Sequence, residues 1–509
     1  MKAGLCFGQP VEVLNIDLFP EKLNHIAMRK KSGLLVMLAM IWVFAAGQEP
    51  VKLHPDNPHY FLWRGTPTVL VTSGEHYGAV INLDFNYRLY LETLHKLGLN
   101  HTRIFLGDYL EPEHAFCIEK NTLSPAPGRF IAPWKRSSEP GFSLGGNKFD
   151  LDKWDPAYFE RLKDFMVYAD KMGVVVEADL FFLGPTFENH PMNTVNNING
   201  TEVPADRGYL TLDYPKILRY QEAYTRKMVD EMNQFDNLII NICNEPWFSN
   251  QEHPGFTSPP ADKTKAWIER VSEWIVDEEK DLPNKHLLSV DYTNEGERIK
   301  AENLDTYWKN ISVFNHHYDQ DSKSLTLNYD IPKAFTFNET GLMPPLTPQY
   351  RIQGWKYMMT GGALYNNLDF TFQMGNEDGS GSTEFVCQWY SGCTHPYMKD
   401  QMSVLLSFMN SIDFVRMHPS RQVLALYEGS ENIRCLAWEG HQYALYFWGG
   451  SKPVFRLTAP AGKYKAEWID PATGDLVRTD MIDHDGKDAI HFRGPEYVED
   501  MALRVMRER

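Results

Sequence analysis

Two glutamates stand where short buried strands are predicted to end. Glu245 closes the apolar run in "LIINICNEP", and Glu339 closes a second one in "KAFTFNETG". Runs this short, without polar alternation, are typical of strands covered on both faces in a parallel sheet. Ligands of such sheets bind beyond the carboxyl ends of the strands. Both carboxylates are therefore expected at the ligand-binding edge, where one can act as an acid and the other as a nucleophile.

Further polar residues lie on neighbouring predicted strands and suit a carboxylate pair. Arg103 in "NHTRIF" could hold a nearby nucleophile ionised. In "FNHHYD", strand alternation predicts that His316 and Tyr318 point to the same side, next to Glu339. Asn244 can bond a sugar hydroxyl. Because retaining glycoside hydrolysis uses two carboxylates about 5 Å apart, these residues predict that chemistry.

Several side chains near predicted strand exits could contact a sugar. Aromatic rings stack on the apolar faces of sugars, and polar side chains bond their hydroxyls. The substrate-binding candidates are Glu75, His76, Tyr77, Trp134, Asn193, Asn197, Trp247, Asn367 and Asp369. Taken singly, each is equally compatible with a core or loop-stabilising role.

Short apolar runs alternate with amphipathic stretches from about residue 68, which predicts eight strands alternating with helices. We therefore expect an α/β fold, a (β/α)8 TIM barrel, over residues 48–417. The links from helix to strand are short, whereas residues 108–150 and 183–213 form long loops after strands two and three, as in a barrel with a walled cleft. Beyond residue 418 short alternating strands predict a small C-terminal β-sandwich that ends at residue 509.

The N-terminal region has the layout of a secretory signal peptide. Residues 28–47 combine a basic start at Met28, an apolar stretch and small residues before Gln48. Residues 1–27 are interpreted as an over-extended gene start. The expected location is secreted or periplasmic, with no integral membrane association; an uncleaved membrane anchor is the alternative, although the apolar stretch is short for a span.

Composition narrows the classes of partner and cofactor. A net charge of −17 argues against a nucleic-acid partner, because phosphates would be repelled. No P-loop, GxGxxG or HExxH pattern is present, so we expect no cofactor and no metal. Cys387 and Cys393 bracket a short loop and could pair in an oxidising compartment, which the sequence leaves open.

The stretches "ICNEP", "NETG", "GLNHTRIF" and "HHY" resemble the clan A glycoside hydrolases, the cellulase-like family 5 relatives in particular, over residues 57–415. The resemblance implies that Glu245 is the general acid/base and Glu339 the nucleophile, with Arg103, Asn244, His316 and Tyr318 in support. A Trp common in that family at strand eight is missing here, where "GGALYNNLDFTFQMG" stands instead. The identity of the sugar is therefore left open. The stretch "AEWIDPATGDL" resembles the β-sandwich often called a collagen-binding domain behind bacterial glycosidase barrels.

Three functions are compatible with these features. The first is a secreted, metal-independent retaining glycosidase acting on β-linked oligo- or polysaccharides. The second is a non-catalytic carbohydrate-binding or adhesion protein built on a glycosidase barrel. The third is a metal-dependent hydrolase, for which His316 and His317 are poorly arranged, because adjacent side chains diverge on a strand.

Overall fold

The computed structural model describes residues 49–115, 118–182, 189–203, 209–246, 252–253, 256–257, 260–293, 296–319, 321–340, 347–381, 383–386, 391–394, 398–426 and 432–508. The predicted signal peptide, the segment before it, Trp247 and Cys387 lie outside these residues, as does the side chain of Cys393. No helix in the described ranges is long and apolar enough to cross a membrane.

Eight parallel strands form the central sheet, and each is followed by a helix. The strands are β1 Leu70–Gly74, β2 His101–Phe105, β3 Val175–Phe182, β4 Leu238–Asn244, β5 Leu287–Thr293, β6 Val313–His317, β7 Ala334–Glu339 and β8 Leu364–Leu368. The helices are α1 Tyr87–Leu97, α2 Pro156–Lys171, α3 Pro215–Met232, α4 Ala261–Glu279, α5 Ala301–Leu304, α6 Lys323–Asn328, α7 Thr347–Met358 and α8 Met398–Asn410. The sheet order β1-β8-β7-β6-β5-β4-β3-β2 is that of a (β/α)8 barrel, so the predicted fold class is confirmed.

An asparagine side chain joins the first strand of the barrel to the second. Asn100, just before β2, donates from Nδ2 to the carbonyl of Val69 at 2.9 Å and accepts from the backbone N–H of Val71, also at 2.9 Å. The Asn100 side chain thus makes hydrogen bonds between β1 and β2 of the kind that strand backbones usually make.

Helix α2 shows how the sequence encodes the outer layer. Asp155 caps the helix by accepting a hydrogen bond from the backbone N–H two residues on, at 3.1 Å, and Pro156 takes the first helical position. Phe159, Leu162 and Met166 recur at helical spacing and are buried. Their shared face packs the helix against the barrel.

The two ends of the barrel are built differently. At the amino ends of the strands lies a small sheet of Lys52–Leu53, Phe61–Trp63 and Thr66–Thr68. Its Phe61, together with Val51 just before it, joins an apolar cluster with the first residues of the barrel strands. At the carboxyl ends, the segment after β2 carries a hairpin of Trp134–Pro140 and Asn147–Trp154. The long loops therefore lie on the face where strands β4 and β7 end.

A C-terminal β-sandwich follows the barrel. Its strands are β9 His418–Pro419, β10 Leu424–Leu426, β11 Ile433–Trp438, β12 Gln442–Trp448, β13 Val454–Leu457, β14 Gly462–Ile469, β15 Leu476–His484, β16 Ile490–Arg493 and β17 Asp500–Arg507. One sheet has the order β9-β11-β12-β17-β14-β15 and the other β10-β13-β16. Phe447, Phe455, Trp468 and Phe492 fill the core between them, which confirms the predicted sandwich.

The sandwich packs directly on helix α7 of the barrel. Arg351 on α7 donates to both carboxylate oxygens of Asp500, at 2.8 and 2.9 Å, and to Glu499 at 2.6 Å. Tyr446 donates to the same Asp500 at 2.8 Å and stacks on Trp355 of α7 with ring centroids 5.3 Å apart. The interface therefore combines a buried ion pair with aromatic packing.

Candidate active site

Glu245 lies directly after β4, where its backbone turns the side chain over the barrel. Its φ of +46° is in the left-handed region, which non-glycine residues rarely adopt. The Glu245 N–H donates to Asp291 Oδ2 at 3.0 Å, which helps to hold this conformation. Its Oε1 lies 2.7 Å from Nδ1 of His317, and its side chain is 21% exposed. The carboxyl group is thus fixed in place and still reachable from solvent.

Glu339 ends β7 and is held by two donors. Arg103 Nη1 donates to its Oε2 at 2.9 Å, and the Tyr318 hydroxyl donates to its Oε1 at 2.6 Å. The Glu339 side chain is 9% exposed. One oxygen each of Glu245 and Glu339 and one ring nitrogen of His317 all lie within 4.8 Å of one another. The structure therefore brings the two glutamates together.

Arg103 on β2 ties the site to the barrel interior. It is buried and forms a two-point ion pair with Asp179 of β3, with N–O distances of 2.7 and 2.8 Å. Its Nη2 also donates to Asn244 Oδ1 at 2.6 Å and to Asp291 Oδ2 at 3.0 Å. A single guanidinium thus contacts side chains from β3, β4, β5 and β7.

The histidine beside the glutamates is His317, and the expectation for His316 is wrong. His316 points away from the site: its ring stacks on Phe335 at 5.8 Å, and burial lowers its pKa to about 4. His317 faces the barrel interior. Tyr318 reaches the same site because it adopts a φ of +54°, which turns its side chain back over the barrel. Simple strand alternation ends before Tyr318, and this is why His316 was misassigned.

The two glutamates have pKa values displaced in opposite directions. Burial, together with the negative charge of Glu339, raises the pKa of Glu245 above its usual range, although His317 opposes this. Burial also acts to raise the pKa of Glu339, but the charges of His317 and Arg103 and the Tyr318 hydrogen bond outweigh it and leave that pKa lowered. The arrangement favours a protonated Glu245 beside an ionised Glu339.

Burial lowers the pKa of His317, but its carboxylate neighbours outweigh this effect. The charges of Glu339 and Asp291 and the bonds to Asp291 and Glu245 raise the pKa of His317 well above its usual value. His317 is therefore expected to be an imidazolium at neutral pH, placed between the two glutamates and Asp291. Its positive charge favours an ionised Glu339.

The residues predicted at the exit of β1 have separate environments. The Glu75 carboxylate accepts from the backbone N–H groups of Gly78 and Ala79, at 3.1 and 3.2 Å, so it stabilises a turn rather than facing a sugar. His76 contacts Glu111 through Nε2 at 3.0 Å and is slightly exposed. The buried Tyr77 ring lies 4.8 Å from the Arg103 guanidinium. His76 and Tyr77 therefore lie close to the site, whereas Glu75 is a structural residue.

Three candidates in the loops after β2 and β3 are structural. Trp134 is 1% exposed and packs on Tyr224 with ring centroids 5.1 Å apart, so it belongs to the core. Asn197 donates to the Asn193 carbonyl at 2.7 Å, and its Oδ1 accepts from the N–H of Gly200 at 2.8 Å. Asn193 accepts from the backbone of the same loop. Both amides fold their loop and are fully buried, so the expectation of sugar contacts is wrong for all three.

The candidates at the exit of β8 also bond within the protein. Asp369 accepts from Ser73 at 3.0 Å and from the hydroxyl of Thr371 at 2.6 Å. Asn367 donates to the Leu368 carbonyl at 3.2 Å and is fully buried. Asp369 is thus bonded within the protein, whereas the Oδ1 of Asn367 is buried without a hydrogen-bond partner among the described residues. A sugar contact by either residue stays a prediction. Trp247 stays a prediction, because it lies outside the described residues.

The architecture was compared with known proteins. No family model and no curated protein matches the sequence, whereas solved structures match its fold. A glycoside hydrolase of family 5 from Bacteroides vulgatus ATCC 8482 superposes with a TM-score of 0.60 at 11% identity, covering 90% of this chain and 93% of its own. The chain has the fold of solved glycoside hydrolases.

Two further solved structures support this likeness. A candidate glycoside hydrolase from the same bacterium has a TM-score of 0.60 at 15% identity, covering 91% of this chain and 83% of its own. A third structure, named only as a glycoside hydrolase, has a TM-score of 0.57 at 13% identity and covers 90% of this chain and 97% of its own. Because the coverage includes barrel and sandwich, the resemblance deduced from short motifs is confirmed for the fold of both parts.

Three residues of the candidate site were missed from the sequence: Asp179, Asp291 and His317. Glu177 and Asp179 stand two positions apart within the apolar run "VVVEADLFF", and Asp291 interrupts "LLSVDY". Acids inside otherwise apolar strands are costly to bury without partners. Their presence was the available signal for a charged layer inside the barrel.

The group Glu245, His317 and Glu339 is close enough to invite comparison with a metal site. However, His317 directs Nδ1 at Glu245 and Nε2 at Asp291, at 2.7 and 3.2 Å. Both ring nitrogens of His317 therefore already face carboxylates, and a metal ion at this group would have to displace one of these contacts.

Proposed function

We propose that the protein is a retaining glycoside hydrolase that cleaves β-linked glycosides. The observation that carries the proposal is the pair Glu245 and Glu339, whose oxygens lie within 4.8 Å and whose pKa values are displaced in opposite directions. Retaining enzymes place their two carboxyl groups about 5 Å apart, whereas inverting enzymes leave more room for a water molecule. The shared fold with solved glycoside hydrolases supports the same chemistry.

We propose a separate role for each glutamate. Ionised Glu339 attacks the anomeric carbon while protonated Glu245 gives its proton to the departing glycosidic oxygen. Glu245, now ionised, then removes a proton from the water that attacks the glycosyl ester on Glu339. Arg103 donates to the side-chain oxygen Oδ1 of Asn244 at 2.6 Å. This orients the Asn244 side chain so that its NH2 group can donate to a sugar hydroxyl.

A substrate panel tests the proposal. Purified protein would be incubated with aryl β-glycosides of several sugars, with their α-anomers as matched controls, and with plant and algal polysaccharides. We expect hydrolysis of one or more β-glycosides, with NMR showing the β-anomer as the first product. Saturable binding without turnover would instead support the non-catalytic carbohydrate-binding protein, and an α-anomer formed first would contradict retention.

The hydrogen bond from Tyr318 to Glu339 leads to a prediction. Tyr318→Phe keeps the ring but removes the donor that stabilises the ionised nucleophile, so we expect kcat to fall about 10-fold to 100-fold. Tyr224→Phe is the matched control, because its hydroxyl donates to the Leu180 carbonyl at 3.0 Å, away from the glutamates. Both variants should lose about 1 kcal/mol of stability. Equal kcat values for the two would place Tyr318 among the structural tyrosines.

Secretion is proposed from the sequence of residues 28–47. Expression from Met28 in a bacterium should release a mature protein that begins near Gln48, because a signal peptidase cuts after small residues. N-terminal sequencing of the exported protein checks this result. A chain from Met1 that is exported with residues 1–27 still attached would contradict both the cleavage site and the late start.

A further inference from the structure

Asp291, on β5, is fully buried below the two glutamates and bonds through both carboxylate oxygens. Its Oδ1 accepts from Asn315 Nδ2 at 2.9 Å and from Asn241 Nδ2 at 3.1 Å. Its Oδ2 accepts from the backbone N–H of Glu245 and from Arg103 Nη2, both at 3.0 Å. The Nε2 of His317 lies 3.2 Å from the same Oδ2.

These contacts join the parts of the site through one oxygen atom. The Glu245 N–H belongs to the residue proposed as the acid, Arg103 holds Glu339, and His317 lies between the two glutamates. We propose that Asp291 is a positioning residue that fixes the backbone of Glu245 and keeps His317 charged between the two glutamates. This inference rests on the proposed glycoside hydrolase function, which it extends to a residue that does not touch the substrate.

The charges around Asp291 support this role. Burial acts to raise the pKa of Asp291, but the charges of Arg103 and His317 outweigh it and hold that pKa well below its usual range. Asp291 is therefore expected to be a carboxylate at neutral pH. A permanent negative charge at 3.2 Å from Nε2 makes loss of the His317 proton unfavourable.

Other charged and titratable groups of the barrel interior face Asp291 or its partners. They are Arg103 on β2, Glu177 and Asp179 on β3, Glu245 after β4, His317 on β6 and Glu339 on β7. Burial raises the pKa values of Glu177 and Asp179, although the charge of Arg103 opposes this for both. Asp291 and Glu339 are the carboxyl groups of this set whose pKa values lie below their usual range.

The variant Asp291→Asn tests the proposal, because the direction in which the pH profile of kcat/KM should shift can be stated in advance. Removing the negative charge of Asp291 makes proton loss from Glu245 easier, so the alkaline limb of the kcat/KM profile should move to lower pH by at least about one unit. Asp236→Asn is the matched control: it removes a buried carboxylate that accepts from Arg64, and no described contact joins Asp236 to Glu245, Glu339 or His317. Its alkaline limb should stay in place. Asp291→Glu restores the charge and should return the limb toward the wild-type position.

A folded Asp291→Asn with an unmoved limb would overturn the proposal, as would equal shifts in both Asn variants. If Asp291→Asn fails to fold, the wild-type protein still decides. Nitrogen-15 NMR of labelled histidines, with the His317 signals assigned by their loss in His317→Gln, should show an imidazolium at pH 7. A neutral His317 at pH 7 would overturn the proposal. A charged His317 in a protein that hydrolyses no glycoside would reject the proposed function and leave the Asp291–His317 coupling in place.

Discussion

Glu339→Ala should abolish turnover of unactivated substrates, with kcat reduced on the order of 10⁴-fold or more, because no covalent intermediate can form. The space left by the carboxylate should admit azide, which attacks the anomeric carbon of an activated aryl β-glycoside. Direct attack inverts the centre once, so the product should be the α-glycosyl azide. NMR of the product measures its configuration.

The matched variant is Glu245→Ala. Here the glycosyl ester on Glu339 still forms, and azide attacks it in a second inversion, so the product should be the β-glycosyl azide. Thermal melting of both variants controls for unfolding. If the two variants gave each other's expected anomer, Glu245 and Glu339 would have to exchange roles.

Glu245→Gln should slow substrates with poor leaving groups far more than activated aryl glycosides. A poor leaving group needs a proton as the bond breaks, whereas a nitrophenolate leaves without help. With a natural disaccharide, kcat/KM should fall on the order of 10³-fold. With a dinitrophenyl glycoside, the rate at which Glu339 becomes glycosylated should fall much less. Equal losses on both substrates would show that another group is the acid.

The pH dependence of kcat/KM is a second test of Glu245→Gln. Burial and the charge of Glu339 raise the pKa of Glu245, so in the wild type the alkaline limb of kcat/KM reports loss of its proton. The acidic limb reports Glu339, whose pKa is lowered. Gln cannot titrate, so Glu245→Gln should flatten the alkaline limb and leave the acidic one. Retention of the wild-type alkaline limb would assign it to a different group.

The fold could be predicted from the sequence because two strong patterns agree along most of its length. Apolar runs alternate with amphipathic stretches until residue 415, and strand-like alternation then takes over. Glu245, Glu339 and Arg103 were found because strand ends and a cation in an apolar strand are visible in one dimension. Asn100 at the barrel seam was not foreseen, since its role depends on which backbone lies beside it.

The remaining site residues depend on local backbone geometry that periodicity does not encode. The positive φ of Tyr318 breaks the alternation from which His316 was assigned, and so His317 was overlooked. Trp134 and Asn197 stand in loops, where exposure was assumed, but these loops have their own cores and bonds. Position at a strand end thus predicted which carboxylates lie close together, but it did not predict which polar side chains the loops bury.

The contact between Arg351 and Asp500 bears on how far this chain is modular. Arg351 is nearly inaccessible, and its counter-charges Glu499 and Asp500 come from the sandwich. Without the sandwich, the Arg351 guanidinium would face water and the ring of Trp355, now fully buried, would lose the cover of Tyr446. The loss of stability would then come from newly exposed apolar surface. We therefore expect the sandwich to stabilise the barrel, so recombination with other barrels would require this interface to be carried along.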